Sequence, residues 1–196
     1  EIRGAGSMLG EIQSGHLEQV GYDTYCTLLD EVVKEMQGVE VEPEIDIQID
    51  LNVTSYIPDE YIPDSAQKIE VYQNIALCKK EEDIQNVVDE IIDRFGNMPA
   101  ELENLLDIAR IKYLAKPFAI SKIASKKTAV VFTFEQSKYK IDLQGLLKIY
   151  RNKIKFSPGI KTMITLDIGT TNERQILNDV TEFLRKLSKR TPLFDN

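Results

Sequence analysis

The chain has no tryptophan, a single histidine (His16) and two cysteines in 196 residues. Each scarcity excludes something. Cys26 and Cys78 lie far apart with no CxxC spacing, so neither a zinc site nor a disulfide framework is encoded. Set among apolar neighbours, both read as buried thiols in a reduced, cytoplasmic setting. No apolar run approaches the ~20 residues that span a bilayer, and no signal-peptide pattern leads the chain, so no membrane partner is expected. The phosphate loop G-x-x-x-x-G-K-S/T is missing. Gly4-Ala5-Gly6 begins a dinucleotide fingerprint but has neither the preceding strand nor the continuation. With one histidine, no Ser-His-Asp or Cys-His pairing is suggested. The expectation is a non-catalytic chain that itself holds no metal and no cofactor.

What is present is a soluble, globular composition, 42% hydrophobic and 29% charged. The net charge of −8 hides a division. Residues 116–196 carry 16 basic against 7 acidic side chains, a net of +9, which leaves 8 against 25, a net of −17, for residues 1–115. Such polarity points either to charged partners or to two halves that attract each other.

Periodicity then divides the chain. Leu17, Val20, Tyr25, Leu28, Leu29, Val32, Val33 and Met36 recur at helical spacing, and Gly38 is placed to end that helix. Ile45, Ile47, Ile49 and Leu51 alternate with polar residues, as in a half-buried strand. Pro58 and Pro63 in YIPDEYIPDS mark an extended crossing. Three helices are expected over 66–78, over 82–95 with Gly96 closing, and from Pro99 to Leu114. Strands are expected at 119–124, 128–134, 154–156 and 163–168. A short helix over 143–150 separates them, and Asn172 caps a last helix through Leu187. The fold class is α+β: a helical hairpin or long helix over 1–38, a linker with an extended strand over 39–64, and a compact mixed α+β domain over 65–196.

The first sixteen residues, EIRGAGSMLGEIQSGH, hold four of the ten glycines. Gly4, Gly6, Gly10 and Gly15 permit close backbone approach, Arg3 can fork onto phosphate or carboxylate, and Gln13, Ser14 and His16 add hydrogen-bonding groups. By chemistry alone this is a nucleic-acid backbone contact, a nucleotide-sensing loop or a tight turn. Opening on Glu1 without an initiating methionine, the chain reads as a cut piece of something larger.

Ile2-Arg3-Gly4-Ala5-Gly6-Ser7-Met8-Leu9-Gly10, followed by Gln13-Ser14-Gly15-His16, resembles the translocation (TRG) motif of the RecG helicase and the transcription-repair coupling factors. Tyr56-Ile57-Pro58, Tyr61-Ile62-Pro63-Asp64 and Ile92-Asp93-Arg94-Phe95-Gly96 resemble the C-terminal domain of the coupling factors specifically. The resemblance covers residues 1–114 well and is diffuse beyond. It implies a bacterial ATP-powered translocase on double-stranded DNA that displaces stalled RNA polymerase and recruits UvrA. ATP and magnesium belong to a motor absent from this chain, and Arg3 and Gln13 match the residues that couple motor closure to movement. The second half is then a regulatory domain that packs on a UvrB-like module of the same protein and masks its UvrA surface. Glu90, Asp93 and Arg94 lie outward on their helix, and Glu90 and Asp93, three apart, match the acidic positions of that interface.

A second reading is a stand-alone DNA-binding or scaffold module. Lys148, Arg151, Lys153 and Lys155, with Arg185, Lys186, Lys189 and Arg190, are candidates for a phosphate-binding surface, without the interleaved aromatics that would stack on bases.

Overall fold

The computed structural model describes residues 46–135 and 141–190, with side chains to Leu187. The expected helix ending at Gly38, and every TRG-like residue, lie outside the described residues. The described residues form two compact units, 55–109 and 46–54 with 110–190, and the division falls inside a helix. Residues 46–54 fall in the second unit and 55–64 in the first.

The first unit begins with the YIPDEYIPDS segment, whose role is architectural. Ile57 and Ile62 are fully buried, and the Pro58 carbonyl accepts from the amides of Tyr61 and Ile62 at 3.0 and 3.1 Å. The Ile57 amide donates to the Tyr72 hydroxyl at 2.9 Å, and Lys68 pairs with Asp59. Asp64, in extended conformation, caps helix α1 (Ser65–Ala76) by accepting from the Gln67 amide at 2.8 Å. Helix α2 (Glu81–Phe95) starts with three carboxylates at its positive end. Asp83 accepts from the Lys79 and Lys80 amides at 2.9 and 3.2 Å. Gly96, at φ +84°, ends α2 in a conformation that a side chain disfavours. Helix α3 (Ala100–Ala115) follows Pro99. Ile69, Val71, Tyr72 and Ile75 of α1, Ile84 and Ile91 of α2, and Leu102, Leu105 and Leu106 of α3 are buried. Burying each such side chain contributes about 1.5–3 kcal/mol.

The second unit is a five-stranded mixed sheet. Its strands are β1 (Gln48–Asp50), β2 (Ile120–Lys126), β3 (Ala129–Phe134), β4 (Ile154–Ser157) and β5 (Thr162–Asp167), in the order β1-β2-β3-β5-β4. All neighbours are antiparallel except β1 and β2, which pair in parallel with Ile49 opposite Ile123. Helix α4 (Leu143–Tyr150) precedes β4, and α5 (Glu173–Arg190) is the last described element. Asn172 caps α5 as expected, accepting from the Gln175 amide at 3.0 Å. Val130, Phe132, Ile164 and Leu166 on one sheet face are buried together with Ile176, Leu177, Val180, Phe183 and Leu184 of α5. The Phe132 and Phe183 rings lie 4.4 Å apart. Every strand and helix expected beyond residue 65 is found within a few residues of its expected position. The periodicity does not announce the two single-turn 3₁₀ segments at Lys116–Phe118 and Arg151–Lys153.

One polar group in this unit lacks compensation. The Tyr150 hydroxyl is buried beside Phe183 with no hydrogen-bond partner among the described residues. Burial, reinforced by the charges of Glu182 and Asp179, pushes its pKa up to about 12. An acid held neutral in the folded state favours folding below its unfolded pKa of 10 and loses that contribution as the pH rises to about 12. Tyr150→Phe should therefore leave stability at neutral pH unchanged or raised by up to about 1 kcal/mol. It should also flatten the alkaline decline, as read by urea unfolding across that pH range.

Candidate functional site

Helix α2 carries the three interface candidates, and its sequence explains their placement. The apolar set at 84, 87, 88, 91, 92 and 95 turns one side inward and leaves Asn86, Asp89, Glu90, Asp93 and Arg94 exposed. The inward stripe is narrower than the spacing suggests. Ile84 and Ile91 are buried, Val87, Val88 and Phe95 half-buried, and Ile92 is 44% exposed. Ile92 thus stands among the charges as an apolar element of the outer face.

Arg94 organises this face. Its guanidinium donates to Glu90, one turn back, at 2.9 Å, and through both terminal nitrogens to the two oxygens of Glu70 on α1, each at 3.3 Å. It lies 5.0 Å from the Phe95 ring centroid. The hydrogen bonds to Glu70 and then Glu90 raise its pKa above the usual arginine value. Behind it Val71, Asn74, Val87, Ile91 and Phe95 line a shallow cleft between α1 and α2. The end of α2 is braced by the Tyr61 hydroxyl, which donates to the Gly96 carbonyl at 2.7 Å, with the Tyr61 ring against Phe95.

The structure therefore joins Glu90 and Arg94 in one network and leaves Asp93 outside it. Asp93 is exposed and has no ion pair or hydrogen bond among the described residues. Glu70 is the member that sequence reasoning missed. No periodicity links it to Arg94, 24 positions away, and only the packing of α1 on α2 brings it there. Cys78 is half-buried rather than buried, and burial followed by the charge of Asp83 pushes its thiol up to about 11. Cys26 lies outside the described residues. Among the described residues no cluster of three or more His, Cys, Asp or Glu is placed to hold a metal, and no helix is long and apolar enough to cross a membrane.

The TRCF domain family model matches residues 51–146, the span that contains this network. The chain belongs to the transcription-repair coupling factor family. The Bacillus subtilis transcription-repair-coupling factor is 37% identical over 150 residues, 76% of this chain and 13% of that protein. Its Staphylococcus epidermidis counterpart is 40% identical over 131 residues, 66% of this chain and 11% of that protein. The chain thus spans roughly an eighth of these relatives. A crystal structure of the C-terminal domain of transcription-repair coupling factor superposes with a TM-score of 0.63. It covers 73% of this chain and 92% of that one, and at 23% identity it establishes a shared fold.

Because the Arg94 network is exposed, salt should screen it. Arg94→Ala should lower the thermal midpoint slightly at low ionic strength, and the difference from the unmodified chain should shrink in about 1 M salt. A difference that salt leaves unchanged would mean that Arg94 acts through packing on Phe95 instead.

Proposed function

We propose that this chain is the regulatory C-terminal part of a bacterial, ATP-driven translocase on double-stranded DNA that displaces stalled RNA polymerase and recruits UvrA. The α2 face masks the UvrA-binding surface of a UvrB-like module in the same protein. The observation that carries this reading is the division of labour on α2. Arg94 ties Glu90 to Glu70 and holds the face in shape, while exposed Asp93 and Ile92 are left over for a partner. Membership of the coupling factor family and the match of Glu90 and Asp93 to its acidic interface positions support the assignment.

The physics suits a releasable contact. Exposed ion pairs contribute only ~0–1 kcal/mol each, so a lock built from a few of them and a small apolar rim opens without great cost. On this reading Arg3, Gly4, Gly6, Gly10, Gln13, Ser14, Gly15 and His16 belong to the coupling hairpin of the motor, and the protein works in the bacterial cytoplasm. The residues present do not fit ATP or magnesium: the sequence has no phosphate loop, and the described residues form no metal cluster. No nucleotide chemistry is assigned to them.

Asp93 gives the cleanest test, because it can be changed without breaking the Glu70–Arg94–Glu90 network. Asp93→Arg in the longer protein should strengthen binding of purified UvrA several-fold, measured by titration. Asp93→Glu should bind as the unmodified protein does. Equal UvrA affinity for the reversed variant, with its melting transition intact, would refute the mask.

A further inference from the structure

The second unit carries a surface that the α2 face does not explain. From Leu143 to Leu166 the sequence has five cations and no carboxylate. Among the described residues only Lys161 of these is neutralised, by Glu135 at 2.5 Å. Lys148, Arg151, Lys153 and Lys155 are exposed and have no ion pair among the described residues. The rest of the basic set is less available: Lys186 is held by Glu182 at 2.5 Å, and Arg185 also has a partner. The side chains of Lys189 and Arg190 lie outside the described residues, and among the other six candidates four exposed cations on one continuous stretch have no ion pair.

These four lie on regular secondary structure. Lys148 is in the last turn of α4, and Arg151, three residues on, occupies its C-cap at φ +51°. Lys153 and Lys155 flank the buried Ile154, so both point away from the core, about 6.6 Å apart along the chain. Lysines on an edge strand also discourage pairing with another sheet, and β4 is an edge. That purpose accounts for Lys155 but not for Lys148 or Arg151, which are off the strand.

We infer that Lys148, Arg151, Lys153 and Lys155 form a contact ridge for the phosphate backbone of duplex DNA, distinct from the α2 face. A row of uncompensated cations on fixed elements matches a stiff polyanion and gains affinity by releasing its counterions. Base reading is not part of it. The neighbouring aromatics, Tyr150 and Phe156, are half-buried, and Lys186 lies over the Tyr150 ring, which leaves no platform for stacking. Binding is therefore indifferent to sequence. It is also weak at physiological salt, because the whole chain carries −8.

The test is a titration of the full chain against a short fluorescent duplex at several salt concentrations. The unmodified chain should bind at low salt, and K148A/R151A/K153A/K155A should bind at least tenfold more weakly. Its plot of log affinity against log salt should be shallower by about 3–4, roughly 0.9 for each lost phosphate contact. The charge-conserving K148R/K153R/K155R should bind like the unmodified chain, and K79A/K80A, in the other unit, should lose far less than the ridge variant. Should the fourfold variant unfold, K153A/K155A, both on exposed sites, should still shift the slope by about 2. No duplex binding at low salt, an unchanged slope, or an equal loss in K79A/K80A would overturn the ridge. Competition by poly-glutamate as effective as duplex at equal charge would overturn it in favour of an acidic protein surface, for which exposed Leu143 and Leu147 would serve as the apolar rim.

Discussion

The three residues of β1 pair with β2 across α1, α2 and α3, which lie between the two strands in the sequence. A parallel pair cannot be made by a tight turn, so the intervening segment of about seventy residues must be closed as one large loop, at an entropic cost of roughly 4 kcal/mol plus a constant. Several local contacts offset it. Ile47 and Ile49 are buried, the Asn52 amide donates to the Ser125 hydroxyl at 3.0 Å, and Asp46 lies 3.9 Å from Lys112. Beyond the strand, Glu173 at the start of α5 accepts from both the amide and the hydroxyl of Thr54, at 3.0 and 2.9 Å. The described helices of the first unit are in this sense an insertion between two neighbouring strands, and the sheet is complete only when both ends of the insertion are in place.

The charge division acquires a structural meaning within each unit. In the first, the prominent cation is committed: Arg94 is shared between two carboxylates, and the excess acid is displayed on α2. In the second, cations on α4, its 3₁₀ turn and β4 have no counter-charge among the described residues. The compensated pairs, being exposed, add little to stability.

Much of the candidate site was legible beforehand, and the illegible part has a definite origin. Helical period placed Glu90, Asp93 and Arg94 outward, and the glycine after Phe95 marked where their helix ends, because only a residue tolerant of positive φ ends it that way. Apolar spacing includes Ile92 in the inward set of α2, yet it is rotated about 100° from buried Ile91 and faces outward. Glu70 carried no signal at all. YIPDEYIPDS read as a crossing punctuated by prolines, while its use of Ile57, Ile62 and Tyr72 to anchor the first unit emerged only from packing.

The amino-acid sequence by itself determined the identity and nearly the extent of each α-helix and strand beyond residue 65, the cap at Asn172, the opposed charges of the two halves and the resemblance to the coupling factors. These depend on neighbours within a few residues, where period, capping and turn chemistry act. Only the tertiary structure decided that β1 lies parallel to β2, that Glu70 completes the Arg94 network, and which cations remain unpaired. Those outcomes join residues 24 to more than 70 positions apart, and contacts at such range are chosen by how whole faces pack, which no local pattern records.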